Sequence, residues 1–526
     1  MAEEPEIWQP KFNPWLIAVV VAMAAFMEIL DTSIANVALP HIAGNLGASN
    51  DESTWVLTSY LVSNAIILPI SGWLAVTFGR KRFFLLCIFM FTVTSLLCGI
   101  APSLGALILF RVLQGAGGGG LQPMAQAILA DTFPPQKRGM AFAAYGITTI
   151  LAPTIGPTLG GWITDNYSWR WIFYINLPVG VLTLFLVLRM VEDPPYLARK
   201  KDAGVSIDYI GIALLALGVG ALQILLDKGQ EDDWFGSHFI VILMVVSAMC
   251  LVSLVLWELH SKTPVIDVRM FKSFNFALAN LMMFVLGMVF FSSLVLMPQF
   301  LQTLMGYTAQ SAGLVLSGAA VITLITIPFV GQLTTKVPTK YIIAFGWLTL
   351  AFGMYYSTWH LDLLISFAAA SRLRMVQQCG LGFLFVPITL SAYIGTAPEK
   401  SNSVSGLVNF MRNIGSSVGT SMVTTILARR AQFHQSVLSY HATNYDPAFR
   451  NQLSGLSQQF VHAGASVPDA QVQAYGFIYQ SMQAQSQTLA YIDTFMVLAV
   501  AAGFMFLLAF VVRKNDPSAG GHVVVE

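Results

Sequence analysis

Residues 15–39 read WLIAVVVAMAAFMEILDTSIANVAL, an apolar run in which only Glu28 and Asp31 carry charge. A helix needs about 20 apolar residues to cross the hydrocarbon of a bilayer, and this run exceeds that length. The preceding residues 1–13 are acidic rather than basic, and no small-residue cleavage site follows the run. We therefore expect a first transmembrane helix that stays in the mature protein rather than a cleaved signal peptide.

The whole chain has the composition of a membrane protein. Of its 526 residues, 56% are hydrophobic and only 10% are charged, whereas soluble domains carry about 25% charged residues. The net charge of +1 gives no indication of a nucleic-acid partner. Fourteen apolar runs are long enough to span the lipid bilayer, and they lie near 15–39, 54–76, 83–101, 105–128, 141–163, 171–191, 207–226, 238–258, 276–300, 310–333, 338–358, 364–391, 404–427 and 489–512.

The distribution of Lys and Arg orients these spans. Basic segments resist translocation and stay on the cytoplasmic side of the membrane. With the N-terminus inside, most Lys and Arg residues fall on inner segments and few on outer segments. Both termini, residues 1–14 and 513–526, are therefore predicted to be cytoplasmic.

An internal repeat divides the chain. Two signatures recur, and their copies are Gly72-x-Leu74 with Gly331-x-Leu333 at an offset of 259, and Arg111-x-x-Gln114 with Arg374-x-x-Gln377 at an offset of 263. Chance matching of glycines is the alternative, but the copies fall on equivalent spans. The repeat predicts an all-α membrane protein with two parallel six-helix bundles, 15–191 and 276–512, and an inserted helix pair at 207–258.

One outer segment is unusually long. Residues 428–488, between spans 13 and 14, are rich in Gln, Ser and His and contain no spanning run. Stretches such as Gln471–Gln487 are compatible with polar helices. A solvated loop and a docking element for a periplasmic partner both remain open as interpretations.

Two acidic side chains lie within the first span. Glu28 and Asp31 are three residues apart and therefore share one helical face. Two carboxylates so close are not easily ionised together, so one of them should load and release a proton in the working pH range. Arg111 in the fourth span lies at a depth similar to that of Asp31, roughly 10 Å below the outer boundary, which makes it the expected counter-charge. The alternative is that either carboxylate has a purely structural role.

Polar stripes follow the fourth and thirteenth spans. Polar side chains that face lipid are penalised, so these stripes should face a cavity or another helix. Simple interhelical hydrogen bonding is the alternative, above all for the Ser and Thr members. Residues of the Met- and Phe-rich ninth span are further candidates for lining a substrate cavity. The full set of candidates is Gln114, Gln122, Gln126, Asn409, Arg412, Phe291, Met297 and Gln299.

Small residues and prolines are concentrated in the fifth span, at Gly156, Pro157, Gly160 and Gly161. Small residues let helices pack closely, and proline frees a carbonyl and permits a kink. This composition suits a helix that rocks against its neighbour. A glycine run at 117–120 lacks the Gly-Lys-Ser/Thr ending of a phosphate-binding loop, so no ATP site is expected.

Four motifs resemble those of the fourteen-helix drug:proton antiporters of the major facilitator superfamily, the EmrB type in particular. The resemblance extends over nearly the whole chain. The motifs are LDTSIANVALP at 30–40, RVLQG at 111–115, Gly156-Pro157 with Gly160-Gly161, and WRWIFYINLPVG at 169–180.

The resemblance implies a bacterial inner-membrane exporter of hydrophobic or amphipathic compounds, including drugs. It makes Asp31 the proton-coupling acid, with Arg111 as its partner, and the fifth-span glycines an antiporter motif. It also implies an EmrA-type periplasmic adaptor and a TolC-type outer-membrane channel as partners. One motif departs from the family, because Val76 and Thr77 stand where relatives usually have an acidic and a basic residue. This departure puts the cytoplasmic gate contact of that acid in question.

Other functions are less well supported by the sequence. Export of one physiological compound, such as a fatty acid, siderophore or bile salt, is the main alternative. A membrane enzyme would need a convergent nucleophile, base or metal cluster, and no two histidines have metal-ligand spacing within a span. We therefore expect neither catalysis nor a metal site, and no cofactor, since the proton gradient would drive transport. Paired carboxylates and a repeat suit rocking halves better than a passive pore.

Overall fold

The computed structural model describes residues 10–194, 208–261 and 263–512. The tail 513–526 and the first nine residues lie outside this part. The described residues contain helices and no strand. In chain order the helices are α1 (Pro14–Leu46), α2 (Asn50–Phe78), α3 (Arg80–Gly99), α4 (Leu104–Thr132), α5 (Pro135–Asn166), α6 (Trp171–Met190), α7 (Tyr209–Lys228), α8 (His238–His260), α9 (Phe274–Thr303), α10 (Ala309–Leu333), α11 (Thr339–His360), α12 (Phe367–Tyr393), α13 (Ser401–His441), α14 (Pro447–His462) and α15 (Val467–Ala509).

Each predicted span coincides with one of these helices, α1 to α13 and α15. Twelve helices of the described chain are long and apolar enough to cross a membrane, which confirms a polytopic all-α protein. Helices α11 and α13 are not among the twelve, because α11 is rich in Gly, Thr and Tyr and α13 carries polar residues along its length. Both nevertheless pack inside the helical assembly, α11 against α12 and α15, and α13 against α9, α15 and α2.

Local sequence signals set the helix ends. The Asn13 side chain accepts a hydrogen bond from the Trp15 amide at 2.9 Å, and Gly47 ends α1 in the left-handed region at φ +66°. Ser49 and Glu52 form a reciprocal capping box at the start of α2. Such caps satisfy backbone groups that a helix end leaves without partners.

The two six-helix sets repeat the same packing. In the first set α1 packs on α5, α2 on α4, and α3 on α6; in the second, α9 packs on α13, α10 on α12, and α11 on α15. This is the pattern that two parallel units related by a repeat would give.

The two sets meet most extensively at two helix pairs, α2 with α13 and α5 with α10, and also where α4 packs on α13 and α5 on α12. Gly72 of α2 lies against the backbone of α13, because a Cβ at this position would come within 2.9 Å of the Ser403 backbone. A Cβ at Gly331 of α10 would come within 2.8 Å of the Ala143 Cβ on α5. The glycines that recur in the sequence are therefore sites of close approach between the sets.

Helices α7 and α8 form a peripheral pair. They pack on each other, and α7 contacts both α2 and α13. The Ser417 hydroxyl of α13 donates a hydrogen bond to the Gln223 side-chain oxygen of α7 at 2.9 Å. Helix α8 exposes large apolar side chains such as Met249, as expected for a helix that faces lipid.

Residues 428–488 are helical rather than a solvated loop. Helices α13 and α15 continue past the predicted spans, and α14 lies between them over a small core of Phe449, Leu453 and Ala474. Extending an existing helix needs no new nucleation, so polar Gln- and Ala-rich sequence can continue it. These extensions and α14 enclose a groove of about 520 Å³ that is lined by both Gln435 and Tyr479.

Candidate functional site

The centre of the candidate site is an ion pair between α1 and α4. Asp31 is 2% exposed and Arg111 is fully buried. Arg111 Nη1 donates to Asp31 Oδ2 at 2.6 Å, and Gln114 Nε2 donates to Asp31 Oδ1 at 3.1 Å. The expected pairing of Asp31 with Arg111 is therefore present, and Gln114 joins it.

Arg111 has further partners around this carboxylate. Its Nε donates to the Val56 carbonyl of α2 at 3.1 Å, and its Nη1 also contacts Gln114 Oε1 at 2.8 Å. The guanidinium lies 4.2 Å from the centre of the Tyr60 ring. A buried charge is tolerated only when it is paired and hydrogen-bonded, and these contacts meet that requirement.

Asn176 completes the Asp31 site, and sequence reasoning did not single it out as a site residue. Its Nδ2 donates to Asp31 Oδ1 at 2.7 Å and to Ser95 Oγ at 3.0 Å. Helix α6 is interrupted at Ile175, so its second part begins at Asn176. The sequence feature that could have identified Asn176 was its position as an amide side chain in an apolar span, within the motif at 169–180.

Glu28 occupies a different environment, one helical turn closer to the N-terminus of α1. It accepts hydrogen bonds from Tyr60 at 3.1 Å, Asn64 at 3.1 Å and Gln122 at 2.5 Å. Among the described residues no Lys, Arg or His lies within ion-pair distance of it. Glu28 is thus buried among neutral donors, two of which, Tyr60 and Asn64, were not predicted.

The two polar stripes meet across the six-helix sets. Gln122 Oε1 accepts hydrogen bonds from Tyr145 on α5 and from Arg412 on α13. Gln126 Oε1 accepts from Asn409 at 2.8 Å. A continuous path of hydrogen bonds therefore runs from Glu28 on α1, through α4, to α13 of the second set.

A small apolar cavity lies beside this path. Arg412 lines it together with Phe290, Phe291 and Phe385, and its volume is about 10 Å³. Drug-sized ligands occupy pockets of roughly 300–1,000 Å³, so this state is closed around the cavity.

The other two cavity candidates of α9 lie elsewhere. Met297 is fully buried in the hydrophobic core, and Gln299 is partly buried with no hydrogen-bond partner for its side-chain oxygen. Neither lines the cavity beside Arg412. The sequence interpretation had grouped them with Phe291 because all three lie on one Met- and Phe-rich helix.

The glycines of α5 bring that helix against α1 next to Asp31. A Cβ at Gly156 would come within 2.3 Å of Ser33 Oγ, and one at Gly160 within 3.1 Å of Ile34. Pro157 has no N–H and leaves the Pro153 carbonyl without its helical partner. The Ser33 hydroxyl donates to that carbonyl at 3.1 Å, so a side chain of α1 replaces the backbone hydrogen bond that Pro157 cannot make. Gly161 is looser, with its nearest neighbours 3.9–4.0 Å from a built Cβ.

A buried ion pair closes the end of the molecule where α3 begins. Arg80 Nη1 donates to Asp131 Oδ2 at 2.5 Å, and the Ser401 hydroxyl of α13 donates to Asp131 Oδ1 at 3.1 Å. Asp131 therefore links the two sets without any contribution from an acid at position 76.

No group of three or more His, Cys, Asp or Glu side chains that could hold a metal ion occurs in the described part of the chain.

Comparisons with known proteins agree with this architecture. The family model of the Major Facilitator Superfamily matches residues 21–420. The chain is 37% identical to multidrug export protein EmrB of Haemophilus influenzae, over 96% of this chain and 97% of that protein. It is 36% identical to EmrB of Escherichia coli K12, over 96% of each, and 35% identical to fatty acid resistance protein FarB of Neisseria gonorrhoeae, over 95% and 97%.

Solved structures share the fold at low sequence identity. The proton:xylose symporter XylE aligns with a TM-score of 0.61 and 13% identity, over 96% of this chain and 97% of that one. The human organic anion transporter MFSD10 aligns with a TM-score of 0.59 and 13% identity, over 95% and 100%.

Proposed function

This chain belongs to the major facilitator superfamily, among its EmrB-type multidrug export proteins, and we propose that it exports hydrophobic or amphipathic compounds in exchange for protons. It is a multi-pass membrane transporter. The observation that carries the proposal is the buried pair of Asp31 and Arg111 at the centre of the first helical set.

Protonation of Asp31 is the proposed coupling event. A neutral Asp31 no longer compensates the charge of Arg111, so the cost of burying that charge rises. Helices α1, α4 and α6 all contribute to this site. Protonation of Asp31 would therefore favour a rearrangement of these helices that gives Arg111 other partners. The gradient supplies about 2.3 kcal/mol per proton for each 100 mV of membrane potential.

Glu28 is the proposed link between the proton site and the substrate. It shares α1 with Asp31 and reaches Arg412 on α13 through Gln122. A change in the charge or position of Glu28 would therefore alter the contact between the two sets. The cavity beside Arg412 would widen into the substrate site when the sets rock apart, with Gln126 and Asn409 also exposed to it.

The cellular setting follows from the same proposal. We place the protein in a bacterial inner membrane with both termini in the cytoplasm, in accordance with the distribution of basic residues. The extensions of α13 and α15, together with α14, would then project into the periplasm. They provide a surface for an EmrA-type adaptor and, through it, a TolC-type channel.

Transport in proteoliposomes tests the proton coupling. Asp31→Asn keeps the shape of the side chain and removes its ability to ionise, so we expect substrate transport driven by a pH gradient to be abolished with expression intact. Asp165→Asn is the matched control, because Asp165 is exposed at the end of α5. Normal gradient-driven transport by the Asp31 variant would refute the assignment.

Export of a single physiological compound is the second candidate. FarB, 35% identical to this chain, is named for fatty acid resistance, and a cavity with one cation and three Phe rings suits an amphipathic anion. Binding of a fatty acid, compared with several unrelated drugs, would separate the two. Measurable affinity for the fatty acid and for none of the drugs would favour the dedicated exporter.

A further inference from the structure

The second helical set contains a near copy of the Asp31 site in which the acid is missing. Arg374 and Gln377 of α12 stand 263 residues after Arg111 and Gln114, and Ser293 of α9 stands 262 residues after Asp31. The local geometry is also repeated. Arg374 Nη1 donates to Gln377 Oε1 at 2.9 Å and to Ser293 Oγ at 2.8 Å. A hydroxyl thus takes the place that a carboxylate has in the first set.

Every hydrogen-bonding partner of Arg374 is neutral. Ser293 accepts from Arg374 while its own hydroxyl donates to the Phe290 carbonyl at 2.7 Å. Gln377 accepts from Arg374 and donates to Ser357 at 2.8 Å. No Asp or Glu of the described residues lies within ion-pair distance of Arg374. An arginine side chain stays protonated in proteins, so this buried charge has no compensating group in the described chain.

The unpaired edge of Arg374 has a defined shape. The side chain is fully buried, and its Nε and Nη2 have no hydrogen-bond partner. These two nitrogens share one edge of the guanidinium and present parallel N–H bonds, the geometry that binds a carboxylate in a bidentate manner or holds a halide. In Arg111, by contrast, Nε is bonded to the Val56 carbonyl and only Nη2 is left over.

We propose that Arg374, held in position through Nη1 by Ser293 and Gln377, binds a monovalent anion at its Nε–Nη2 edge, either a halide or a carboxylate group. Burial of an uncompensated charge is expensive, and a small anion at the free edge would remove that cost. The site is separate from the proton-coupling pair and goes beyond the proposed export function. The anion would come either from solution or from the head group of an amphipathic compound.

Thermal unfolding of the purified full-length protein tests the site. Wild type is titrated with sodium chloride, and separately with decanoate and with the uncharged decanol. We expect chloride or decanoate to raise the unfolding temperature in a saturable manner, and decanol to have no such effect. Protection by chloride would identify an anion from solution, and protection by decanoate alone would identify an amphipathic carboxylate.

Three variants make the test specific. Arg374→Gln should raise the half-saturating anion concentration at least about tenfold, since hydrogen bonds to charged groups are strong. Ser293→Asp supplies the acid found in the first set, so it should remove the anion effect and raise the unfolding temperature without added anion. Arg372→Gln, an exposed position on the same helix, should behave as wild type.

Two results would overturn the site. One is a wild-type protein whose stability responds neither to chloride nor to decanoate. The other is a Ser293→Asp protein that responds as wild type does. The Ser293→Asp variant keeps the test decisive even if Arg374→Gln fails to fold. Thermal unfolding is measured without transport, so the result does not depend on the proposed export function.

Discussion

At the scale of single residues, the two carboxylates of α1 differ in their partners. Asp31 faces a cation and two amide groups, whereas Glu28 faces a phenol and two amides without a cation. An ionised Asp31 is therefore compensated by direct contact with Arg111, while Glu28 contacts only neutral donors and is linked to the cation of Arg412 through Gln122. The two acids, one turn apart on one helix, are thus suited to separate steps of a transport cycle.

We expect Asn176 to support transport through its hydrogen bond to Asp31. Asn176→Ala removes a hydrogen bond to a charged group, an interaction worth about 1.5–3 kcal/mol, so we expect gradient-driven transport to fall about tenfold with expression retained. Asn166→Ala, at an exposed position on α5, is the control and should transport normally. Unchanged transport by the Asn176 variant would mean that Gln114 and Arg111 suffice to hold the carboxylate.

At the scale of helices, glycines determine where movement is possible. Helices α1 and α5 are in close contact beside Asp31, and the Ser33 hydroxyl occupies the space that a side chain at position 156 would need. Small residues at this contact let the two backbones approach closely, so a shift of one helix acts directly on the other. The proposed proton site at Asp31 therefore lies next to a close helix contact that would transmit a shift of α1 to α5.

Gly156→Val should separate α1 from α5 and misplace Asp31. A Cβ at this position would lie 2.3 Å from Ser33 Oγ, far inside van der Waals contact, and overpacking of this kind costs about 1–3 kcal/mol. We expect a lower unfolding temperature and loss of transport in proteoliposomes. Gly161→Ala on the same helix has room for its methyl group and should retain both. Equal behaviour of the two variants would show that close approach at Gly156 is not required.

At the scale of the whole molecule, α14 and the extensions of α13 and α15 form a unit outside the predicted transmembrane spans. Near the base of this unit, Arg430 and His434 of α13 contact Asp493 of α15 at 2.6 and 2.7 Å. Beyond these contacts, α14 and the ends of α13 and α15 have their own small core. The contribution of this unit to transport in vesicles and to resistance in cells can therefore be tested separately.

Removing residues 438–484 and closing the gap with a short Gly-Ser linker should leave the Asp493 contacts in place. We expect gradient-driven transport in vesicles to persist and drug resistance in cells to be lost, because the proposed surface for an adaptor is removed. Inserting the same linker at the turn around Gly464, where φ is +101°, should preserve both. Loss of transport in both settings after the deletion would assign the segment a role in folding.

The positions of the spans, the buried carboxylates and the glycines of close approach were all readable in the sequence. In a bilayer, the length and polarity of each segment decide locally whether it can be buried, because lipid offers no partner to polar groups. Asp31 and Arg111 were predictable as a pair for the same reason, since each charge needs a partner at its own depth.

Which neighbours satisfy the polar groups was decided only by the tertiary structure. Asn176 reaches Asp31 across 145 residues and Arg412 reaches Gln122 across 290, and no local pattern specifies such contacts. The same holds for Met297, which composition grouped with Phe291 as a cavity candidate and packing placed in the core. The residue type determines the free-energy cost of burying each polar or charged side chain. Which partner offsets that cost depends on how distant helices are brought together.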